Sequence, residues 1–334
     1  MLLRCFSALV LMIATLVPAL AQQRQVKIGI GYGLAFLPLY ICEDFKLIGK
    51  YARQAGLDVK VSFPRLMGAA QVQSMLSSGA IDMAPFGTAP LLAAWEKTKD
   101  TPQQIFAVSG ITSLPLELLS NQPDEHSIAD LKPSDRIAVP TLTSPQTQLL
   151  ELQSERIFGR YDRLRSQVVV LSHAEAVDAL GEGASAKEGA VTAYFSSPPY
   201  TELALRDPNV HPILKSSDAI GGKFSFLVMV ATKSYIEREP QMPEVVDEAM
   251  EEAARLIHDD PRRAAQIYLT HEPSGTLNGA AMDGVIGDVK DAFGSAVYGV
   301  QTMADFMGRH GQLKAPPRSW QDIVAPALLK SSSS

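Results

Sequence analysis

The chain has 334 residues, enough for two lobes that each bury a core. It is 46% hydrophobic and 20% charged, as soluble globular proteins are, and its net charge of −6 excludes the basic footprint of a nucleic-acid binder. The N-terminus reads as an export signal, segment 1–21. Arg4 precedes a short apolar run, residues 9–16, and Ala19-Leu20-Ala21 forms a cleavage pattern before Gln22. That run is too short to span a bilayer well, and Pro18 stands near its end. Cys5 lies ahead of the run and is not a lipoprotein cysteine. Cleavage after Ala21 predicts a periplasmic protein with one cysteine, Cys42, and no internal disulfide. Cys42 sits in an apolar helical pattern and is expected to pack, not react.

Val26, Ile28 and Ile30 alternate as a strand entering Gly31-Tyr32-Gly33. Pro38 then opens a helix, and Ile41, Phe45, Ile48, Ala52 and Ala55 recur at helical spacing up to Gly56. Val59, Val61 and Phe63 predict a second strand, residues 68–76 a helix, and residues 80–84 a third strand. This βαβαβ order is the unit of an open α/β sheet. A second such unit is predicted from a strand at 136–139, a helix at 143–158 with Leu149, Leu152 and Ile157 inward, a strand at 168–171, a helix at 173–180 and a strand at 190–195. The segment MLSSGAIDMAPFGTAP from Met75 is echoed by ALGEGASAKEGAVTAYFSSPP from Ala179, which suggests two related lobes. After Gly221-Gly222 come one more strand, 226–231, and then helices. Val246, Ala249, Met250, Ala253 and Ile257 form one apolar stripe, and Val300, Met303, Ala304 and Met307 another. Asp260-Pro261 starts a helix between them. The Ser331 to Ser334 tail is expected to lack order.

This order of elements resembles the nitrate/taurine/sulfonate-type solute-binding proteins of ABC importers, a family that also includes binders of thiamine-pyrimidine precursors. The carriers are GLAFLPLYICEDFKLIGKYARQAGL from Gly33, Gly68-Ala69-Ala70 with LSSGAIDMAPFGTAP, IADLKPSDRIAVPTLTSPQ from Ile128, HDDPRRAAQIYL, and ADFMGRHGQLKAPPRSWQDIV. The resemblance implies a type II periplasmic-binding-protein-like fold, two α/β lobes joined by two crossover strands. Lobe 1 would comprise 22–114 and 224–330, and lobe 2 would be 115–223. It implies a monomer that delivers a small anionic or zwitterionic solute to a permease and ATPase in the inner membrane, with no cofactor. A small heterocycle, or an enzyme built on the same two-lobed plan, are the alternatives.

Ligands of open α/β sheets sit at the carboxyl ends of strands, which singles out four loops. Tyr32 and Phe36 offer aromatic faces in the first; Phe36 stands where a dinucleotide loop would need its third glycine. Arg65, Gly68 and Ala69 lie at a helix start suited to an anion. Gly87 and Thr88 are donor candidates in the third. In the other lobe, Thr143, Ser144 and Gln146 surround a helix start at Pro145, while Tyr194, Phe195 and Pro198 end a strand. No nucleophile or base motif of a known hydrolase appears, and the six histidines have no metal-ligand spacing, so the chain is expected not to be an enzyme.

Overall fold

Alternating and helix-period segments become two mixed sheets wrapped by helices in the computed structural model, which describes residues 23–66, 69–182, 189–272, 277, 279–326 and 328–329. The export signal, Gly68 and the serine tail lie outside the described residues. β1 (Arg24–Lys27) continues into Ile28 and Ile30, both buried, which bridge to Met83 and Arg65. The single helix expected after Pro38 is two, α1 (Leu37–Asp44) and α2 (Leu47–Gln54), because Lys46 adopts a left-handed backbone at φ 53°. The break lets α1 bury most of its circumference while α2 keeps one wet face.

β2 (Val59–Ser62), α3 (Ala69–Ser77), β3 (Met83–Gly87), α4 (Thr88–Thr98) and β4 (Ile105–Thr112) complete the first run. The second contains β5 (Glu117–Ser120), β6 (Ile137–Val139), α5 (Pro145–Phe158), β7 (Val168–Val170), α6 (His173–Glu182), β8 (Ala193–Ser196), α7 (Tyr200–Ala204), β9 (His211–Lys215) and α8 (Ser216–Ile220). The chain then returns as β10 (Leu227–Thr232), followed by α9 (Lys233–Arg238), α10 (Met242–Asp259), α11 (Pro261–His271), α12 (Gly279–Val289) and α13 (Val300–Arg309).

The first sheet has the order β2-β1-β3-β10-β4, joined across β1 and β3 by the Ile28–Met83 bridge. The second has the order β7-β6-β8-β5-β9. Both follow one plan. Three neighbouring strands run parallel, and the strand in fourth place runs against both its neighbours. That fourth strand, β5 or β10, is in each case the first strand after the chain has passed from the other sheet. The echo between the segments from Met75 and Ala179 has a structural cause: each ends a helix and enters the third-place strand, β3 or β8.

The stripe on α10 is wholly buried against α1, α2 and β4, and the stripe on α13 is buried against α4. Ile157, expected inward, is instead 47% exposed. Its neighbour Arg156 takes the turn facing α8 and donates to the Asp218 carbonyl at 2.9 Å. One apolar cluster runs through both lobes, from Ala107 and Val230 in the first sheet to Leu149 of α5 and Phe195 in the second sheet.

The segment around Ser295 crosses β4 closely. Gly110 donates its N–H to Ser295 O at 2.6 Å, and a Cβ on Gly110 would lie 2.3 Å from Ala296 O. A backbone carbonyl cannot swing aside as a side-chain tip can. Gly110→Ala should therefore cost roughly 1–3 kcal/mol, read as a lower denaturant midpoint at unchanged m-value. Nearby, Asp247 of α10 accepts from Ser109 Oγ at 2.8 Å, and burial pushes its carboxyl up to about 6 from an ordinary 3.8. A raised carboxyl favours folding while protonated, so this contribution is lost as pH rises from about 4 through about 6. Asp247→Asn should thus be more stable than the parent at pH 8, on the order of 1 kcal/mol after solvent screening. The gain should vanish below pH 4 in urea titrations.

Candidate ligand crevice

The carboxyl ends of β1 and β3 form one wall. A cavity of about 180 Å³ is lined there by Gly29, Gly31, Phe36, Leu66, Phe86 and Gly87, among others. The loop after β1 is held from a distance. Glu272, which follows α11, accepts the Gly33 N–H at 2.7 Å and lies 2.6 Å from the Tyr40 hydroxyl. That hydroxyl gives its one proton to the carboxylate and lies 3.1 Å from Gly31 O, so the Gly33 end of the glycine turn is the one Glu272 fixes.

The start of α5 forms the opposing wall. Ser144 caps it: its Oγ accepts the Thr147 N–H at 3.3 Å and its carbonyl accepts the Gln148 N–H at 3.2 Å. Pro145 has no N–H and the cap takes that of Thr147, so what remains for a guest is chiefly the positive end of the helix dipole. Gln146 is 1% exposed, yet neither its amide oxygen nor its nitrogen has a partner among the described residues. A buried amide left open costs about 1–3 kcal/mol, and a bound group that pairs with it recovers that cost. The two walls touch where Gly87 meets Pro145. A Cβ on Gly87 would lie 2.9 Å from Pro145 Cγ, so only bare backbone allows this approach.

Beside this contact lies a larger chamber of about 710 Å³ between α4 and α5, which shares Phe86 and Pro90 with the smaller cavity. Ala89, Ala93 and Lys97 of α4 face Thr147, Gln148 and Glu151 of α5 across it. Glu151 is held by Arg165 at 2.6 Å and by Gln312 at 2.9 Å.

Of the residues singled out from sequence, Phe36 and Gly87 line the small cavity and Thr143 lines the chamber. Ser144 and Gln146 flank the Gly87–Pro145 contact, are both buried, and line neither space. Tyr32 is 51% exposed and lines neither space. Arg65 turns toward α1 and α11. It donates to Glu43 at 3.0 Å and to His271 Nδ1 at 2.7 Å, and it stacks 4.8 Å over the Tyr40 ring. Gly68 lies outside the described residues, and Ala69 begins α3. Thr88 is buried and gives its hydroxyl to the Ser225 carbonyl, tying α4 to the segment leading into β10. Tyr194 and Phe195 are both fully buried on opposite faces of the second sheet. Tyr194 pairs with His173, whose imidazole burial pushes down to about 4. Pro198 is buried and lines neither space.

Sequence reading passed over Phe86, Lys97, Gln148 and Glu272. The four-residue spacing of Ala89, Ala93 and Lys97 was a visible signal of one helix face. Glu272 carried none, since its partners lie more than 230 residues earlier. Cys42 is fully buried, its Sγ lies 3.6 Å from Ala249 O, and burial holds its thiol well above the ordinary range. It cannot serve as a nucleophile in this state. Among the described residues no cluster of three metal-ligating side chains occurs, and no helix is long and apolar enough to cross a membrane.

Two sheets of one plan, crossed twice by the chain and facing each other over a crevice, are also found in solved structures. The periplasmic aliphatic sulphonate binding protein SsuA of Escherichia coli superposes with a TM-score of 0.68 over 91% of this chain and 92% of its own, at 18% identity. The fold is that of the periplasmic binding proteins. The alkanesulfonate-binding SsuA of Xanthomonas axonopodis pv. citri, bound to MOPS, shares this periplasmic-binding fold at a TM-score of 0.68 and 19% identity, over 91% of this chain and 97% of its own. A DszB mutant in complex with biphenyl-2-sulfinic acid matches at a TM-score of 0.59 and 14% identity, over 93% of this chain and 99% of its own. No protein-family profile and no curated protein matches the sequence.

Ser144→Ala removes the α5 cap and should cost roughly 1 kcal/mol, measured by chemical denaturation. A loss of ligand affinity far beyond that value would place Ser144 against the guest; an equal loss would make it a cap alone.

Proposed function

We propose that this chain is the solute-capturing component of an ABC-type importer, exported to the periplasm with cleavage after Ala21. Its guest is a small anionic or zwitterionic solute, with sulfonates foremost, and a permease and ATPase are its membrane partners. The observation that carries this reading is a crevice whose two walls belong to two separately ordered sheets. Such a crevice can close on a guest, and the guest favours closure only by touching both walls. The positive end of the α5 dipole and the buried Gln146 amide supply the pairing chemistry. The charges lining the chamber, Lys97 and Arg165 against Glu151, leave a positive excess that suits an anion. The sulfonate-binding proteins that share the fold are consistent with this choice of guest.

The enzyme alternative has less support. The one cysteine among the described residues is sealed and cannot act as a nucleophile. The heterocycle alternative loses two of its four aromatic candidates, because Tyr194 and Phe195 are core residues.

Calorimetric and thermal-shift titrations of the mature protein against alkanesulfonates, taurine, nitrate and carboxylates test the reading. A binding anion at a hundred times its Kd should add about 2.7 kcal/mol of stability. Binding restricted to neutral aromatics would reject the anion assignment, and no shift with any solute would reject the capture role.

A further inference from the structure

α13 belongs to neither side of the crevice alone. It begins at the passage before β10, where the Tyr298 N–H donates to Ser225 Oγ at 2.8 Å and the Ser225 N–H donates to the Tyr298 carbonyl at 3.1 Å. Its apolar stripe rests on α4, beside the first sheet. Its far end, about 15 Å away at 1.5 Å per residue, lies against α5, which follows β6 of the second sheet. There Arg309 donates to Glu155 Oε2 at 2.9 Å, and His310 Nε2 lies 2.8 Å from Glu155 Oε1, so one carboxylate meets both. Arg309's hydrogen bond, with that of His310 beside it, holds the Glu155 carboxyl below the ordinary carboxylate range. The His310 ring packs on Tyr161 with centroids 4.1 Å apart, and Tyr161 meets Phe306 of α13 edge-on. Past the turn at Gly311, the Gln312 amide donates to Glu151 at 2.9 Å, one turn before Glu155 on α5.

These contacts fall on the later turns of α5, while its first residue, Pro145, meets Gly87 at the crevice. α5 is thus joined to the helices of the first sheet at both ends: by bare contact at Gly87, and by a charged cluster roughly 15 Å further along the helix. The covalent passages between the sheets do not fix the angle between them. They run side by side, with the Phe226 N–H donating to the Thr112 carbonyl at 2.9 Å, and so form one narrow hinge. A helix moves as a rigid body, so lifting Pro145 from Gly87 by rotation at that hinge also pulls Glu155 from Arg309 and His310.

We infer that α13 is a strap between the two sides, whose grip on Glu155 and Glu151 holds α5 against α4 and sets how often the crevice opens. Each opening releases Glu155 from its two partners, and each closure restores them. This goes beyond the capture role proposed above, since it concerns the motion of the walls and needs no guest. A guest of any chemistry enters only in the fraction of time for which the strap has let go.

Thiol labelling of the full mature chain without guest tests this. Pro145 is buried where it meets Gly87, and the native Cys42 is fully buried in the core. Pro145→Cys therefore puts a thiol at the seam, and its rate of reaction with a maleimide follows the open fraction. In that background Arg309→Met, at a side chain 55% exposed where folding is not at issue, should raise the rate about threefold. Glu155→Arg sets like charges against each other and should raise it about tenfold. Combining Glu155→Arg with Arg309→Glu restores attraction and should bring the rate back toward the parent value. A rate unmoved by Arg309→Met and Glu155→Arg overturns the strap, as does a rise that the charge exchange fails to reverse. An equal rise in Cys42 labelling, read in chains that keep Pro145, would show general unfolding and overturns it as well. None of these results depends on a ligand, so titrations with anions judge the capture role separately.

Discussion

The architecture depends on two strands that sit in the interior of a sheet they reach from elsewhere. β5 lies between β8 and β9, and β10 lies between β3 and β4, each hydrogen-bonded on both edges and running against its neighbours. Every residue of β10 is buried. A strand so placed cannot leave without breaking two ladders and exposing its apolar faces, so the passages between the sheets are anchored at their far ends. Only the short connections before β5 and before β10 remain to bend. The crevice, its two walls and any closure about a guest follow from that arrangement. Thr88 adds to the same constraint, because its hydroxyl binds the Ser225 carbonyl just ahead of β10.

Much of the fold was legible because burial there is one-sided. The stripe on α10 and the alternation of Val26, Ile28 and Ile30 each mark a surface facing one core, and the structure buries them as read. Legibility failed where both faces are covered. β8 reads Ala-Tyr-Phe-Ser with all four residues buried, so nothing in the pattern told Tyr194 from a crevice residue. α4 is apolar on most sides, which left the spacing of Ala89, Ala93 and Lys97 as the mark of its one open face. The break at Lys46 was hidden because its left-handed conformation falls on a residue without a local signature.

The polar part of the site shows a second limit. Arg65 looked free to meet an anion, yet Glu43 and His271 hold it, and His271 is in turn 3.0 Å from Asp44. Glu272 did not look functional, yet it organises the turn that floors the small cavity. In both cases the deciding partner is remote in sequence, so only the folded chain reveals which charges are neutralised at home and which remain for a guest. Gln146 and Gln148 are the reverse case. Their environment is buried, but their hydrogen-bonding capacity is unmet among the described residues.

The shared strand plan places corresponding loops opposite one another. The turn after β1 answers the turn after β6, and the turn after β3 answers the turn after β8. None of these turns contributes to the ladders that define the sheets. Substitution or lengthening there reshapes the guest cavity while ten strands keep their partners. An architecture of this kind separates the surface that meets a guest from the framework that carries it, and chains that share fewer than one residue in five with this one superpose over nine-tenths of their length.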